Sequence, residues 1–338
     1  MTELDQTSTP VHIPESPAIP GLRFRHFRGP EDFAALAQIY AAAAAADNDT
    51  WVVTAETIQK QYAYLNNCDI YRDVVLAEVA GAPVAYSRVE WWDEAAGNRI
   101  YAMAGYVAPA WRRQGLGRAL LKHNERRLRQ IASEHASERP RFFQSAATAA
   151  AVGNAALLRR EGYQAVRHGF AMVRDLAEPV GPTELPAGLE VRSPKPEQYR
   201  QVWEADAEAF RDHWGYRQPT ENDYRGWLSW PHFEPSLWQV AWDGDQVAGM
   251  VQNFVNTEEN AARGWRRGYT EGISVRRPWR KRGLATALIN RSLAMFRELG
   301  MAEAALGVDA DNPSGALRIY EGCGFRVVKQ ASTYRKAF

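Results

Sequence analysis

From Leu284 to Leu299 apolar residues recur at helical spacing. Wound at 100° per residue, Leu284, Ala285, Leu288, Ile289, Leu293, Met295, Phe296 and Leu299 cover about half the circumference, and Asn290, Arg291, Arg297 and Glu298 take the remainder. Gly300 follows where a left-handed C-cap is expected. Upstream, the stretch YTEGISV alternates, which predicts a strand with Glu271 on one face among Tyr269, Ile273 and Val275. Between strand and helix lies a basic run that closes on Gly283. A strand, a glycine turn and a helix form a phosphate cradle, because the first N–H groups of a helix lack internal partners and face the ligand.

The same pattern occurs twice. YAMAGYVAPAWRRQGLGRALL from Tyr101 matches YTEGISVRRPWRKRGLATALI from Tyr269, a spacing of 168 (269 − 101). GLRFRHFRGPEDFAAL from Gly21 matches GLEVRSPKPEQYRQV from Gly188, a spacing of 167 (188 − 21). VVLAEVAGAPVAY and QVAWDGDQVAGM each read strand, tight polar turn, strand. LLRREGYQAV pairs with IYEGCGFRVV, setting Gly162 against Gly324. Repetition of this length predicts a tandem duplication, with domains at 21–176 and 188–338, a Pro- and Gly-rich linker at 177–187 and a disordered segment at 1–20. Each copy reads strand, two helices, hairpin, central strand, turn and helix, strand, helix, closing strand. That order predicts an α/β fold with a mixed antiparallel and parallel central sheet and helices on both faces.

A length of 338 residues suits two cores rather than one. Hydrophobic residues at 46% and charged residues at 24% describe an ordinary soluble globular protein. A net charge of +1 gives no global field for nucleic acid. Cys68 and Cys323 stand one in each half, outside any CxxC spacing, so neither a structural zinc nor a disulfide framework is expected, and no metal. No apolar run reaches the roughly 18 to 20 residues that span a membrane, and the opening residues lack signal-peptide regions. The expected location is the cytoplasm. Charge is concentrated locally: Arg263 to Arg282 holds eight Arg or Lys and one acidic residue.

The turn RKRGLA, Arg280 to Ala285, resembles the (Q/R)-x-x-G-x-(G/A) signature of the GCN5-related N-acetyltransferases, the GNAT family. With the element order, the resemblance extends from Gly21 to Phe338 and implies two tandem GNAT domains using acetyl-CoA as cosubstrate. It implies that Arg280, Lys281, Arg282, Gly283, Leu284, Ala285 and Thr286 hold the coenzyme phosphates. Backbone groups of Ile273, Ser274 and Val275 would orient the thioester, with Asn312 a further coenzyme contact. The matching positions of the first copy are Val107, Arg112, Gln114, Gly115, Gly117 and Arg118.

Acetyl transfer to an amine needs a base for the amine proton, donors for the developing oxyanion and an acid for the departing thiolate. Burial raises a carboxyl pKa toward working pH, which suits Glu271, and a phenol near pKa 10 suits a thiolate leaving group. The resemblance implies Glu271 as general base and Tyr320 as general acid. Asn312 fits a helix N-cap and Pro313 a first helical turn.

The repeat sets Met103, Leu158 and Ala150 against Glu271, Tyr320 and Asn312. The C-terminal copy is therefore the expected catalyst. The N-terminal copy is degenerate, structural or binding without turnover. The expected acceptor is a primary amine of a small molecule, with Asp206, Glu208, Asp212, His213 and Trp214 as candidate contacts. The alternative is an acyl-CoA-binding sensor without catalysis.

Overall fold

The computed structural model describes residues 10–135, 138–312 and 315–338. The first half carries β1 (Leu22–His26), α1 (Asp32–Ala46), α2 (Ala55–Tyr62), α3 (Ile70–Asp73), β2 (Val74–Val79), β3 (Ala82–Asp93), β4 (Arg99–Val107), α4 (Leu116–Ser133), β5 (Arg141–Thr148), α5 (Val152–Arg160) and β6 (Gln164–Asp175). The second carries β7 (Glu190–Val191), α6 (Tyr199–Ala209), α7 (Glu221–Leu228), β8 (Gln239–Asp243), β9 (Gln246–Phe254), α8 (Thr257–Arg263), β10 (Arg267–Val275), α9 (Leu284–Glu298), β11 (Glu303–Asp309), α10 (Ala316–Gly322) and β12 (Arg326–Ala337).

Two compact units form, and they interleave along the chain. One comprises residues up to Val166 with Thr220–Ser229 and Ser332–Phe338; the other comprises Arg167–Pro219 and Trp230–Ala331. In the first, β1 to β4 form an antiparallel meander and β4 pairs in parallel with β5. Alternation along β2 divides its core: Val75 and Ala77 pack with Leu116, Ala119 and Leu120 of α4, while Val74 and Leu76 pack with Leu36 and Ile39 of α1. Helices thus cover both faces of a mixed sheet, as the element order predicts.

In the second unit, β7, β8, β9 and β10 are antiparallel neighbours and β10 pairs in parallel with β11. The far side of β11 pairs with Gly169–Asp175 of β6, a strand that began in the first half. The end of β12 serves the first unit in the same way. Tyr334 is buried beside Phe143, and Phe338 N–H donates to Arg141 O at 3.1 Å. Helix α9 ends as its pattern predicts: Gly300 has φ +76 and Met301 N–H donates to Phe296 O at 2.9 Å.

Two expectations need correction. Residues 10–20, read as disordered from composition, are packed. Ile13 is 2% exposed against α4, Val11 N–H donates to Phe24 O at 2.9 Å, and Glu15 pairs with Arg126 at 2.6 Å. The repeat in fact starts upstream of the first strand. Ile13 stands eight residues before Gly21 as Val180 does before Gly188, and Val180 packs on the core beside α9. Asn312 is not a helix N-cap; Gly315, at φ +73, holds that place, and Asn312 lies in the preceding turn. Pro313 lies outside the described residues.

The buried end of β12 rests on charge. Arg335, 8% exposed, donates to both oxygens of Glu94, which is 3% exposed, and to Gln144 at 2.8 Å. Removing one partner of a buried pair strands the other charge at a cost of about 3 to 5 kcal/mol. Arg335→Ala should therefore lower unfolding stability by roughly that amount in urea titration, and adding Glu94→Gln should restore part of it. A loss within error would mean that β12 is not integral to the first unit.

Candidate functional site

Strand β10 ends at Val275, a short 3-10 turn spans Arg277–Trp279, and the backbone turns left-handed at Lys281, φ +62, and Gly283, φ +81. The first helical bond of α9 is Ala287 N–H to Gly283 O, so the four N–H groups from Gly283 to Thr286 have no helical partner. Lys281, Arg282, Gly283 and Thr286 are exposed, Ala285 is half-buried, and Leu284 is buried as the anchor beneath them. A Cβ on Gly283 would meet nothing within 4 Å, so the face of the cradle is open. Open amides, a helix N-terminus and adjacent cations fit a pyrophosphate.

Arg280 plays another part. Its Nε donates to Val275 O at 2.9 Å, Nη2 to Ala209 O at 3.0 Å and Nη1 to Asp212 at 3.0 Å. The guanidinium staples the turn to the end of β10 and to the segment after α6. Arg112 makes the matching set with Val107 O at 3.1 Å, Ala43 O at 3.2 Å and Asp47 at 2.7 Å. The rest of the first turn repeats the form, with Arg113 at φ +64 and Gly115 at φ +93. There Gln114 bonds Ala110 O and Arg118 pairs with Glu161, while Gly117 lies in ordinary contact with Val107 and Leu157.

The chemistry lies where β10 leaves β11. Their pairing stops at Tyr269 and Ala305, although β10 runs on to Val275 and β11 to Asp309. Within the opening Glu271 Oε1 accepts from Gly307 N–H at 2.8 Å. Immediately after it β10 bulges: Gly272 and Ile273 oppose the single residue Val251, with Gly272 at φ +54. The first unit keeps the parting, since β4 and β5 stop pairing at Ala102 and Gln144, but its β3–β4 register is unbroken and Ala104 stands where Gly272 does. The difference between Gly272 and Ala104 was a readable signal of the bulge.

Glu271 is half-buried, and desolvation pushes its carboxyl up to about 7 against the opposing bond from Gly307. Tyr320, on α10, is 7% exposed, its ring 6.4 Å from that of Phe325, and its hydroxyl has no hydrogen-bond partner among the described residues. Burial, and then the nearby Glu271 carboxylate, hold the phenol above its ordinary pKa. The arrangement offers a proton acceptor near neutrality and, within electrostatic reach of it, a neutral donor. At the matching places the first unit buries Met103 and Leu158.

The candidate acceptor residues separate. Glu208 pairs with Arg276 at 2.8 Å. Asp212 is held down to about 2 by Arg277 and Arg280. His213 lies 4.3 Å from the Phe210 ring, its pKa lowered by burial, and Trp214 lies against Arg167. Asp206 has no ion pair among the described residues; burial pushes its carboxyl up to about 7 against a hydrogen bond with Ser274. Residues 220–229, from the same stretch, belong to the first unit, where Thr220 and Asp223 bond Asn66 at 3.1 and 2.9 Å.

A sheet whose central strand parts from its neighbour above an anion-ready helix, built twice, defines an acyl-CoA-dependent transferase fold. Comparison with known proteins agrees. Residues 199–325 match the Acetyltransferase (GNAT) family and residues 71–165 an Acetyltransferase (GNAT) domain. A mycothiol acetyltransferase of Geodermatophilus obscurus is 33% identical over 258 residues, 75% of this chain and 79% of that protein. A GCN5-related N-acetyltransferase structure from Sphaerobacter thermophilus superimposes with TM-score 0.69 at 27% identity, covering 94% of this chain and 95% of that one. A tandem GNAT protein from the clavulanic acid biosynthesis pathway shares the fold, with TM-score 0.67 at 17% identity over 94% of this chain and 98% of that one. The chain belongs to the GNAT acetyltransferases, as a tandem member of the mycothiol synthase type, and acetyl-CoA is the cosubstrate its fold implies.

A side chain at φ +81, the conformation of Gly283, costs about 1 to 2 kcal/mol and strains the turn that presents the open amides. Gly283→Ala should weaken acetyl-CoA binding about tenfold, corresponding to roughly 1.4 kcal/mol, in a calorimetric titration. Unchanged affinity would reduce the turn to a packing feature.

Proposed function

We propose that the C-terminal copy, 188–338, transfers the acetyl group of acetyl-CoA to the primary amine of a small molecule by direct attack. The observation that carries this reading is the pairing of Glu271 and Tyr320 beside a bulged strand, against Met103 and Leu158 beside an unbroken one. Acetyl-CoA supplies the acetyl group as a thioester. Glu271 takes a proton from the amine as its nitrogen bonds to the carbonyl carbon. Where β10 has parted from β11, backbone N–H groups of Ile273 to Val275 that face away from β9 orient the carbonyl oxygen. As the C–S bond breaks, the Tyr320 phenol donates its proton to the sulfur. Backbone amides from Gly283 to Thr286, with Lys281 and Arg282, hold the phosphates.

The relatives named mycothiol acetyltransferase make the unacetylated amine precursor of mycothiol the first acceptor to test. Among the described residues Glu271 has no cation beside it, which suits a positively charged or hydrogen-bonding acceptor.

Glu271→Gln should lower kcat about a hundredfold or more, the span usual for general base catalysis, while leaving the acetyl-CoA dissociation constant near wild type. Tyr320→Phe should act in the same direction with a smaller loss. Because catalysis requires ionised Glu271 and its carboxyl sits at about 7, wild-type kcat/KM should fall with unit slope below that pH. The slope should vanish in Glu271→Gln. Coenzyme binding without thiol release from any amine would instead favour an acyl-CoA sensor.

A further inference from the structure

Beyond Tyr269 and Ala305 the two parallel strands separate, and a charged group holds each outer end. At the end of β10, Arg280 Nε donates to Val275 O at 2.9 Å while its Nη1 donates to Asp212 at 3.0 Å. At the end of β11, Asp309 pairs with Arg167 at 2.7 Å, and the same guanidinium lies 5.7 Å from the centre of the Trp214 ring. Asp212 is thus tied to one strand end and Trp214 to the other. Between them stands His213. Asp212–Trp214 crosses the outer end of the opening that holds Glu271.

The crossing segment is ordered by its own contacts. His213 N–H donates to Phe210 O at 2.9 Å, His213 O accepts from Tyr216 N–H at 3.2 Å, and the imidazole packs 4.3 Å from the Phe210 ring. The backbone is satisfied and the ring has a fixed neighbour, yet neither ring nitrogen has a hydrogen-bond partner among the described residues. Burial lowers the pKa, with Asp309 opposing, which keeps the imidazole neutral at physiological pH. A neutral imidazole carries one N–H donor and one bare acceptor. A secondary amide carries the complementary pair. The first unit lacks the second anchor: matching its Tyr101–Phe143 pairing to Tyr269–Ala305 sets Ala147 where Asp309 stands.

A coenzyme with its phosphates on the Gly283 turn and its thioester beside Glu271 passes the arm that links them along this opening. In coenzyme A that arm is pantetheine, a chain interrupted by secondary amides. We propose that His213 binds an amide of the pantetheine arm, and that Asp212–Trp214 is the strap that seats the arm between the ends of β10 and β11. His213 is then a coenzyme-binding residue and not the acceptor contact that its place in the sequence suggests. This rests on the coenzyme site described above and adds the residue that reads its arm.

The test sets acetyl-CoA against adenosine 3′-phosphate 5′-diphosphate, which is coenzyme A without its arm, in calorimetric titrations of the full chain. His213→Phe keeps a ring against Phe210 and removes both nitrogens. It should weaken acetyl-CoA about five- to tenfold, the scale of one or two hydrogen bonds, and leave the armless nucleotide unchanged. His213→Gln, which retains a donor and an acceptor, should recover most of the loss. Gly283→Ala, by contrast, should weaken both ligands.

Equal losses for the two ligands, acetyl-CoA affinity that ignores His213, a loss that glutamine does not recover, or an effect confined to KM for the amine overturns the strap and leaves the phosphate turn standing. Failure of wild type to bind either ligand removes the coenzyme site itself, and the strap with it.

Discussion

One guanidinium holds the working end of each unit together. Arg280 reaches the last carbonyl of β10, a carbonyl at the end of α6 and the Asp212 carboxylate. A cation at a helix C-terminus meets the negative end of the dipole, and the planar fork serves three acceptors that an ammonium cannot span with the same geometry. Because Arg280 closes the turn from within, the amides from Gly283 to Thr286 face outward. Because it grips the end of α6, the helix that carries Asp206 is fixed over β10. The glycine turn and α6 are therefore parts of one mechanical element.

Charge is handled differently in the two units. The first pairs its buried acids: Asp32 with Arg25 at 2.7 Å, Asp73 with Arg127 at 2.8 Å, Glu125 with Lys336 at 2.8 Å, and Glu94 with Arg335. Among the described residues, the second leaves Glu271, Asp206 and Glu259 without an ion pair, and burial raises all three carboxyls. A buried acid without a counter-charge gives up stability, a cost that the base role proposed for Glu271 would explain at that position. Other acids of the same unit are paired, as Glu303 is with Arg267 at 2.8 Å.

Much of this was legible in the sequence because it rests on local pattern. The amphipathic α9, its glycine C-cap and the duplicated turn follow from periodicity and backbone preference. The long-range partners were hidden. Nothing local marks Gly307 as the donor to Glu271, or Asp212 and Asp47 as the acids beneath the two turns. The exchange of β6 and β12 depends on pairings across more than a hundred residues. Composition misled at residues 10–20, where a proline-rich stretch finds a seat for Ile13, and at Asn312, where the flexibility of Gly315 decided the helix start.

Duplication separates what the fold requires from what the chemistry requires. Both units keep the stapling arginine, the two left-handed residues of the turn and the parting of the parallel strands. Among the described residues, only the second has the bulge, the acid on the strand and the phenol on the last helix. Since the staple alone accounts for the turn, preservation of RRQGLG in the first unit has a structural cause. Its glycines carry no implication of turnover. The features that set the second unit apart, at Glu271, Gly272 and Tyr320, are those that the proposed acetyl transfer would use.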